Sequence, residues 1–464
     1  MVRRRFGIGL APLLAWAWAG TFAGTARAQS PTAAPKSVGI GDWQIAPALE
    51  VRTRGEYRTD SPDLGVAGSS PVQDSVGVLE RTRLGVGAEY GASRDDPGFL
   101  RAQVTVQDAR AWGTPAPTGV LGADGSTLSS TSLYEGWIEV RTSSARPAFL
   151  RIGRQAVTWG DGRLLSNADW SPVARTLDAV RGHASAGMFD FELLAAILEA
   201  PTPLAAAVGQ SSGPPSSGTE LYGGQFAASP APLFKVELSL LGRVRRSPLL
   251  TVGDGETYVG SLRVFGEGGG WRYAVEGAYE LSRAITASDV RSAWAGAGYV
   301  EKGLDGVVLA PKVRLEGDYA SGTGAGGTGA NAPHAQFDPL LPDVHDLHGA
   351  MDLFAWSDTV QGSARVTVTP WTEGQVAAEY RYVFVPEAGA WLDAYLATIA
   401  SAPSSRELGH EIDVWATWRP WPVLDLVGGY SALLVSEGAR ALLASSYTAT
   451  VAHFGYLQAT LRVP

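Results

Sequence analysis

The strict alternation of apolar and polar residues within short segments constrains the fold of this chain more than any other feature. In residues 456–463, for example, Leu457 and Leu461 alternate with Gln458 and Arg462. A period of two indicates a β-strand with one apolar face. The pattern recurs along almost the whole chain, so we predict an all-β protein.

The number and spacing of these segments favour a membrane barrel over a soluble β-sandwich. We count about 18 segments, an even number, with links that are alternately long and short and with aromatic residues near strand ends. The links around residues 300–310 break this rhythm. We therefore predict a transmembrane antiparallel up-and-down β-barrel of about 18 strands, with long extracellular loops and short periplasmic turns. The predicted strands begin near Trp43, Val76, Phe99, Leu133, Ala148, Thr176, Met188, Glu220, Phe234, Thr257, Trp271, Ser292, Pro311, Thr359, Glu373, His410, Leu424 and Ala452.

The first residues are typical of a secretory signal peptide. Three arginines at positions 3–5 precede an apolar stretch over residues 6–23, and Ala26-Arg27-Ala28 has the small-x-small form of a cleavage site. We expect cleavage after Ala28, which leaves residues 29–464 as a single outer-membrane barrel domain. The chain has no cysteine, so disulfides cannot stabilise it and a closed hydrogen-bonded sheet is the expected alternative.

Charge and composition argue against several classes of function. The net charge is −9, and removing the four arginines of the signal peptide makes it −13, so we expect no nucleic-acid partner. His334, His345 and His348 share one segment but lack the spacing of metal ligands, and a solvated loop is the favoured interpretation. The histidines in or near predicted strands have serines not far off, but these residues form no recognisable hydrolase site. We therefore expect no catalytic residues, no metal and no cofactor.

Two further segments lie in predicted loops. Residues 322–329 are rich in glycine but lack the lysine and serine of a phosphate-binding loop. Residues 389–401 carry apolar side chains at helical spacing, which predicts a short amphipathic helix at the barrel mouth.

Several short motifs occur together in residues 151–181. They are Gly153-Arg154-Gln155, Gly160-Asp161-Gly162-Arg163, Asp169-Trp170 and the run from Arg175 through Asp178 to Arg181. In this order the motifs resemble the alginate-export family of outer-membrane barrels. A second segment, Phe337-Asp338-Pro339-Leu340-Leu341-Pro342 followed by His345, His348, Gly349 and Asp352, is similar to a large outer loop of that family.

The resemblance implies an 18-stranded barrel that exports an anionic polysaccharide through an arginine-rich lumen. The partners expected on this basis are outer-membrane lipid, an anionic polysaccharide or other polar solute, and periplasmic export components; a monomer is the default. The chain departs from the family at Pro464, where an aromatic residue is usual, and at Trp159, where tyrosine is frequent. An outer-membrane enzyme of lipase type and an adhesive barrel with a plugged lumen are the alternatives.

Inward parity on the predicted strands, together with the motifs, selects the residues expected to line the pore. Arginine presents a planar fork of donors that matches a carboxylate and stays charged at any working pH. The chain has 33 arginines and 4 lysines, and inward acids such as Glu50 and Glu139 offer partners within the barrel. Substrate contact and purely structural ion pairs therefore both remain open. The candidates are Arg52, Arg54, Arg81, Arg83, Arg101, Arg154, Asp161, Arg163, Arg181, Arg314, Glu316, Glu379 and Arg381.

Overall fold

The chain folds into a closed antiparallel barrel. The computed structural model describes residues 37–61, 74–91, 99–114, 130–142, 148–199, 218–246, 255–283, 290–322, 336–386, 391–392, 398–399, 405–442 and 448–464. The signal peptide, its cleavage site, His334 and residues 323–329 of the glycine-rich segment lie outside the described residues.

Eighteen long strands of the described chain form the wall of the barrel, each paired with its neighbours in sequence. Closure comes from β2, which pairs with β3 on one side and with the last strand, β21, on the other. Closure satisfies the backbone hydrogen bonds of both edges, as a bilayer requires. The wall strands are β2 (Trp43–Thr59), β3 (Ser75–Tyr90), β4 (Leu100–Thr114), β5 (Ser130–Arg141), β6 (Ala148–Gln155), β7 (Leu177–Ala186), β8 (Phe189–Glu199), β9 (Thr219–Ala231), β10 (Phe234–Arg245), β11 (Gly255–Gly268), β12 (Trp271–Arg283), β13 (Arg291–Gly303), β14 (Lys312–Ala320), β15 (Val360–Trp371), β16 (Gly374–Phe384), β19 (Glu407–Trp421), β20 (Leu424–Val435) and β21 (Val451–Val463).

The smaller elements lie outside the wall or in its loops. A short strand, β1 (Val38–Ile40), pairs with the start of β2, and β17 (Trp391–Leu392) pairs with β18 (Thr398–Ile399). The helices are α1 (His345–His348) and α2 (Glu437–Leu442). Neither of these helices has the length and apolar character that a membrane crossing requires.

The predicted strand pattern is confirmed, and one loop prediction is wrong. All 18 predicted starts lie within three residues of the observed ones. The irregular link is a turn over residues 304–311, which is longer than the short turns at 269–270 and 372–373 on either side of it. The expected helix over residues 389–401 is instead the hairpin of β17 and β18 at the described positions. A segment this short gains little from helical propensity alone, so cross-strand pairing prevails.

Side chains on the wall separate by parity, as the alternation predicts. Outward positions are large and apolar, and Leu315 on β14 is 55% exposed. Inward positions are largely polar and buried, among them Arg81 and Glu139. A soluble sandwich would bury its apolar face, whereas here the apolar face is the outer one, as lipid contact requires.

Two loops fold into the lumen and fill it toward the end where the long loops lie. Loop A (residues 156–176) follows β6, and loop B (residues 336–359) precedes β15. Leu164 and Leu341 join small inward residues of the wall, such as Ala295, in one apolar cluster. Met351 packs with the wall residue Phe454 in a second cluster on the opposite side. The loops therefore bridge the lumen.

Candidate functional site

Loops A and B are joined through their backbones. Leu165 and Leu341 form a parallel β-bridge, in which Ser166 N–H donates to the Leu341 carbonyl at 2.9 Å. The Asp343 N–H donates to the Gly162 carbonyl at 2.8 Å. The two loops therefore form a single unit across the lumen.

The G-D-G-R motif gives loop A its shape and ties it to the wall. Gly160 and Gly162 have φ angles of 56° and 80°, a region that glycine adopts without strain. Asp161 accepts a hydrogen bond from Arg263 of β11 at 2.5 Å. Arg163 forms a buried ion pair with Glu316 of β14. The motif thus lies in the lumen, where it makes structural ion pairs.

Asp169 of loop A binds a group of arginines on β2 and β3. Arg81 donates to both carboxylate oxygens, at 2.9 and 3.1 Å, and Arg83 donates to Oδ1 at 3.0 Å. Arg52 donates to the Asp169 backbone carbonyl at 2.6 Å and lies 3.7 Å from the carboxylate. Burial would raise the pKa of Asp169, but the arginines, Arg81 first, lower it below its usual range. The carboxylate is therefore ionised at any physiological pH.

The next residue, Trp170, lies between the wall and loop B. The Arg54 guanidinium lies 3.6 Å from the centre of the indole, and Arg54 also donates to the Trp170 carbonyl at 2.8 Å. On loop B, His345 stacks against the same indole. A cation over an aromatic face is attracted by the ring quadrupole, so Arg54 and Trp170 hold loop A in place beside Asp169.

A second arginine cluster lies near the short-turn end of the lumen, around Glu139 of β5. Arg141 and Arg151 each pair with Glu139 at 2.6 Å, and Arg101 lies 3.7 Å from it. The Glu139 side chain is 0% exposed, whereas those of Arg101 and Arg141 are 23% and 22% exposed. The guanidinium groups therefore face the open lumen and cover the acid that they neutralise.

The remaining candidates are paired with inward acids on the same strand or on a neighbouring one. Arg181 pairs with Glu192 at 2.6 Å, and Arg314 with Glu316 at 2.7 Å. Glu379 pairs with Arg381 at 2.6 Å. These pairs are of the kind expected for a network that stabilises the barrel wall.

The structure brings all the candidates but one into the lumen. Arg154 is the exception, because it shares the outward parity of Leu150 and Ile152 on β6 and pairs with Asp178 at 2.7 Å on the outer face. The prediction that Arg154 lines the pore is wrong. Arg154 was selected because it belongs to a family motif, whereas the alternation of side chains along β6 places Arg151 in the lumen.

Sequence reasoning missed several arginines of the lumen, among them Arg141, Arg151 and Arg175. Arg141 and Arg151 lie at inward positions of β5 and β6, and the parity set by Glu139 could have indicated both. Arg175 of loop A donates to the carbonyls of Ser166 and Leu341 at 2.6 and 2.7 Å. No period-two signal marks Arg175, since it lies in a loop.

The histidines of loop B make hydrogen bonds within the lumen. His345 Nδ1 lies 2.8 Å from Asp352, and His348 Nδ1 lies 3.0 Å from the Gln361 amide. Among the described residues, no three His, Asp or Glu side chains lie close enough together to hold a metal ion.

The fold is similar to that of solved outer-membrane channels. OccK9 (OpdG) of Pseudomonas aeruginosa is 13% identical, with a TM-score of 0.56 over 90% of this chain and 98% of that chain. OccAB1 of Acinetobacter baumannii is 9% identical, with a TM-score of 0.55 over 90% and 96%. OccK2 (OpdF) of Pseudomonas aeruginosa in complex with glucuronate is 10% identical, with a TM-score of 0.54 over 90% and 98%. At these identities the likeness concerns the fold alone.

The sequence also matches a family. Residues 44–435 match the family described as alginate export, whereas no curated protein matches the chain. The matched range spans the barrel from β2 to the end of β20, including both lumen loops. Together with the porin-like fold, the match indicates a transport channel of the outer membrane rather than an enzyme. The chain belongs to the alginate-export family of outer-membrane β-barrel proteins.

Proposed function

We propose that this outer-membrane channel conducts an anionic saccharide, with a uronate polymer or oligomer as the solute class. The observation that carries the proposal is the cluster around Glu139. Three guanidinium groups, those of Arg101, Arg141 and Arg151, surround one fully buried carboxylate. Charge rings rather than overall charge govern permeation, so a lumen with this surface favours anions although the chain is acidic.

Aromatic rings beside these arginines support a saccharide over a simple inorganic anion. Arg151 lies 3.9 Å from the ring centre of Trp137 and 5.4 Å from that of Phe149. Both rings have inward parity on β5 and β6. An apolar ring face beside a fixed guanidinium suits a sugar ring that carries a carboxylate, since arginine binds that group at two points.

Further support comes from relatives. The family is named for alginate export, and the similar barrel OccK2 was solved with glucuronate. By the same reasoning the solute leaves the cell, the channel acts as a monomer, and periplasmic export components deliver the polymer. The partly exposed arginines around Glu139 would bind each sugar weakly, which transport requires.

The test is solute competition in planar bilayers. Guluronate or mannuronate oligomers added to one side should block the ion current of the purified protein, whereas neutral malto-oligomers of equal length should block it far less. Equal block by both would refute the anionic-saccharide proposal. The filled lumen around loops A and B also favours an adhesive barrel with a plugged lumen, and the absence of any ion current would support that alternative.

A further inference from the structure

The arginines that bind Asp169 form a site for a carboxylate, and a residue of the chain itself occupies it. Arg52 and Arg81 are directly paired in the register of β2 and β3, and Arg83 shares the inward face of β3. Like charges at paired positions repel. The Asp169 carboxylate is therefore a counterion that these arginines hold in addition to Glu50.

The way in which Asp169 is bound resembles the recognition of a free carboxylate. Arg81 donates hydrogen bonds to both carboxylate oxygens at 2.9 and 3.1 Å, and Arg83 donates to one of them at 3.0 Å. Two-point binding by a guanidinium gives the strongest and most specific contact of this kind. The Arg83 guanidinium also stacks over the ring of Tyr134, 3.5 Å from its centre, which fixes its orientation.

The exposed fractions of the side chains indicate which residue of the site a solute contacts first. The Asp169 side chain is 37% exposed, whereas that of Arg81 is fully buried. A solute in the lumen therefore reaches the arginines only when Asp169 moves away. Glu50, which Arg81 also contacts at 2.5 Å, then remains as their acidic partner, and it is shared with Arg462.

Loop A is built so that Asp169 can act in this way. Ala168, the preceding residue, has a φ of 46°, a left-handed conformation that costs free energy for a residue with a side chain. The backbone hydrogen bonds of loop A to loop B lie at Gly162, Leu164 and Ser166, three or more residues away from Asp169. Breaking the carboxylate contacts of Asp169 would therefore loosen the turn around it without separating the loops, because Arg54 and His345 still hold Trp170.

We propose that Asp169 is a built-in substitute for the carboxylate of the solute, and that an incoming uronate displaces it from Arg81 and Arg83 and so loosens loop A. This inference rests on the proposed function and adds to it a site and a mode of opening. The tethered carboxylate competes at a high effective concentration, so a solute with many carboxylates in sequence opens the loop more readily than a single sugar.

The test uses the folded full barrel, sodium glucuronate and glucose. Asp169→Asn keeps the size of the side chain but removes its charge, and we expect it to raise the affinity for glucuronate by about tenfold or more, measured by titration calorimetry. Asp178→Asn removes an equal charge from the outer face and should leave the affinity unchanged. Adding Arg81→Ala to Asp169→Asn should abolish the gain. An unchanged or lower affinity of folded D169N would overturn the proposal.

A second measurement needs no variant. Glucuronate, but not glucose or sodium chloride at equal ionic strength, should speed hydrogen exchange at the amides of residues 167–171 in the wild-type barrel. Unchanged exchange at saturating glucuronate would also overturn the proposal. The proposed function is tested separately. Equal block of the ion current by uronate and neutral oligomers would refute it, whatever affinity D169N has for glucuronate.

Discussion

Trp170 of loop A and His345 of loop B stack with ring centres 3.6 Å apart and planes inclined by 4°. Each ring belongs to a different loop, and Arg54 covers the opposite face of the indole. The stack is therefore a side-chain contact that joins both loops to the wall. It complements the backbone bridge at Leu165 and Leu341.

Removing the indole should loosen this contact. Trp170→Ala deletes the surface shared by Arg54 and His345, so we expect a larger and noisier single-channel conductance and a loss of stability of about 3 kcal/mol or more. Trp170→Phe keeps an aromatic ring, so its conductance and stability should lie between those of Trp170→Ala and the wild type. If Trp170→Ala conducts like the wild type, the stack does not restrict the lumen.

A second prediction concerns pH and Asp343 of loop B. Burial, followed by the charge of Asp346, raises the pKa of Asp343 to about 7 from the ordinary 3.8, although His345 and the Ser166 hydroxyl oppose this. A buried acid with a raised pKa stabilises its contact in the folded protein, here the one between the two loops, while it is protonated. This stabilisation by Asp343 is complete below about pH 4 and is lost as the pH rises toward 7.

The measurement is channel conductance between pH 5 and pH 8. Conductance should rise with pH as ionised Asp343 weakens the contact between the loops, and Asp343→Asn should flatten that rise. A pH profile that Asp343→Asn leaves unaltered would assign the titration to another group.

The orientation of the wall can be tested by inserting charges. Leu315→Arg places a charge in the lipid at a cost of roughly 2–4 kcal/mol near the middle of the bilayer, so heat-modifiable folded barrel should be lost. Ser363 has inward parity on β15, and Ser363→Arg, directly across from Glu316, should assemble. Equal assembly of both variants would contradict the assignment of the outer face to lipid.

Processing of the N-terminus stays a prediction. If the signal peptide is cleaved after Ala28, N-terminal sequencing of outer-membrane material begins at Gln29. Material that starts at Met1 would contradict it.

The wall could be predicted from sequence because its signal is local. A period of two decides which face each strand residue takes, so Arg52, Arg81 and Arg381 were predicted to face inward and do so. The contacts of loop A could not be predicted in this way. Asp169 and Arg81 lie 88 residues apart in the chain, and their contact depends on how a loop without periodicity folds back into the barrel.

The most direct test of the account is the ion selectivity of the reconstituted channel. The reversal potential in a potassium chloride gradient should indicate preference for chloride, because the partly exposed guanidinium groups of Arg101 and Arg141 cover the buried Glu139. Replacing both by alanine should shift the reversal potential toward cations, whereas Arg154→Ala on the outer face should leave it unchanged. High salt should reduce the difference, since the screening length falls to about 3 Å at 1 M. A cation-selective wild-type channel, or a double variant as anion-selective as the wild type, would contradict the account.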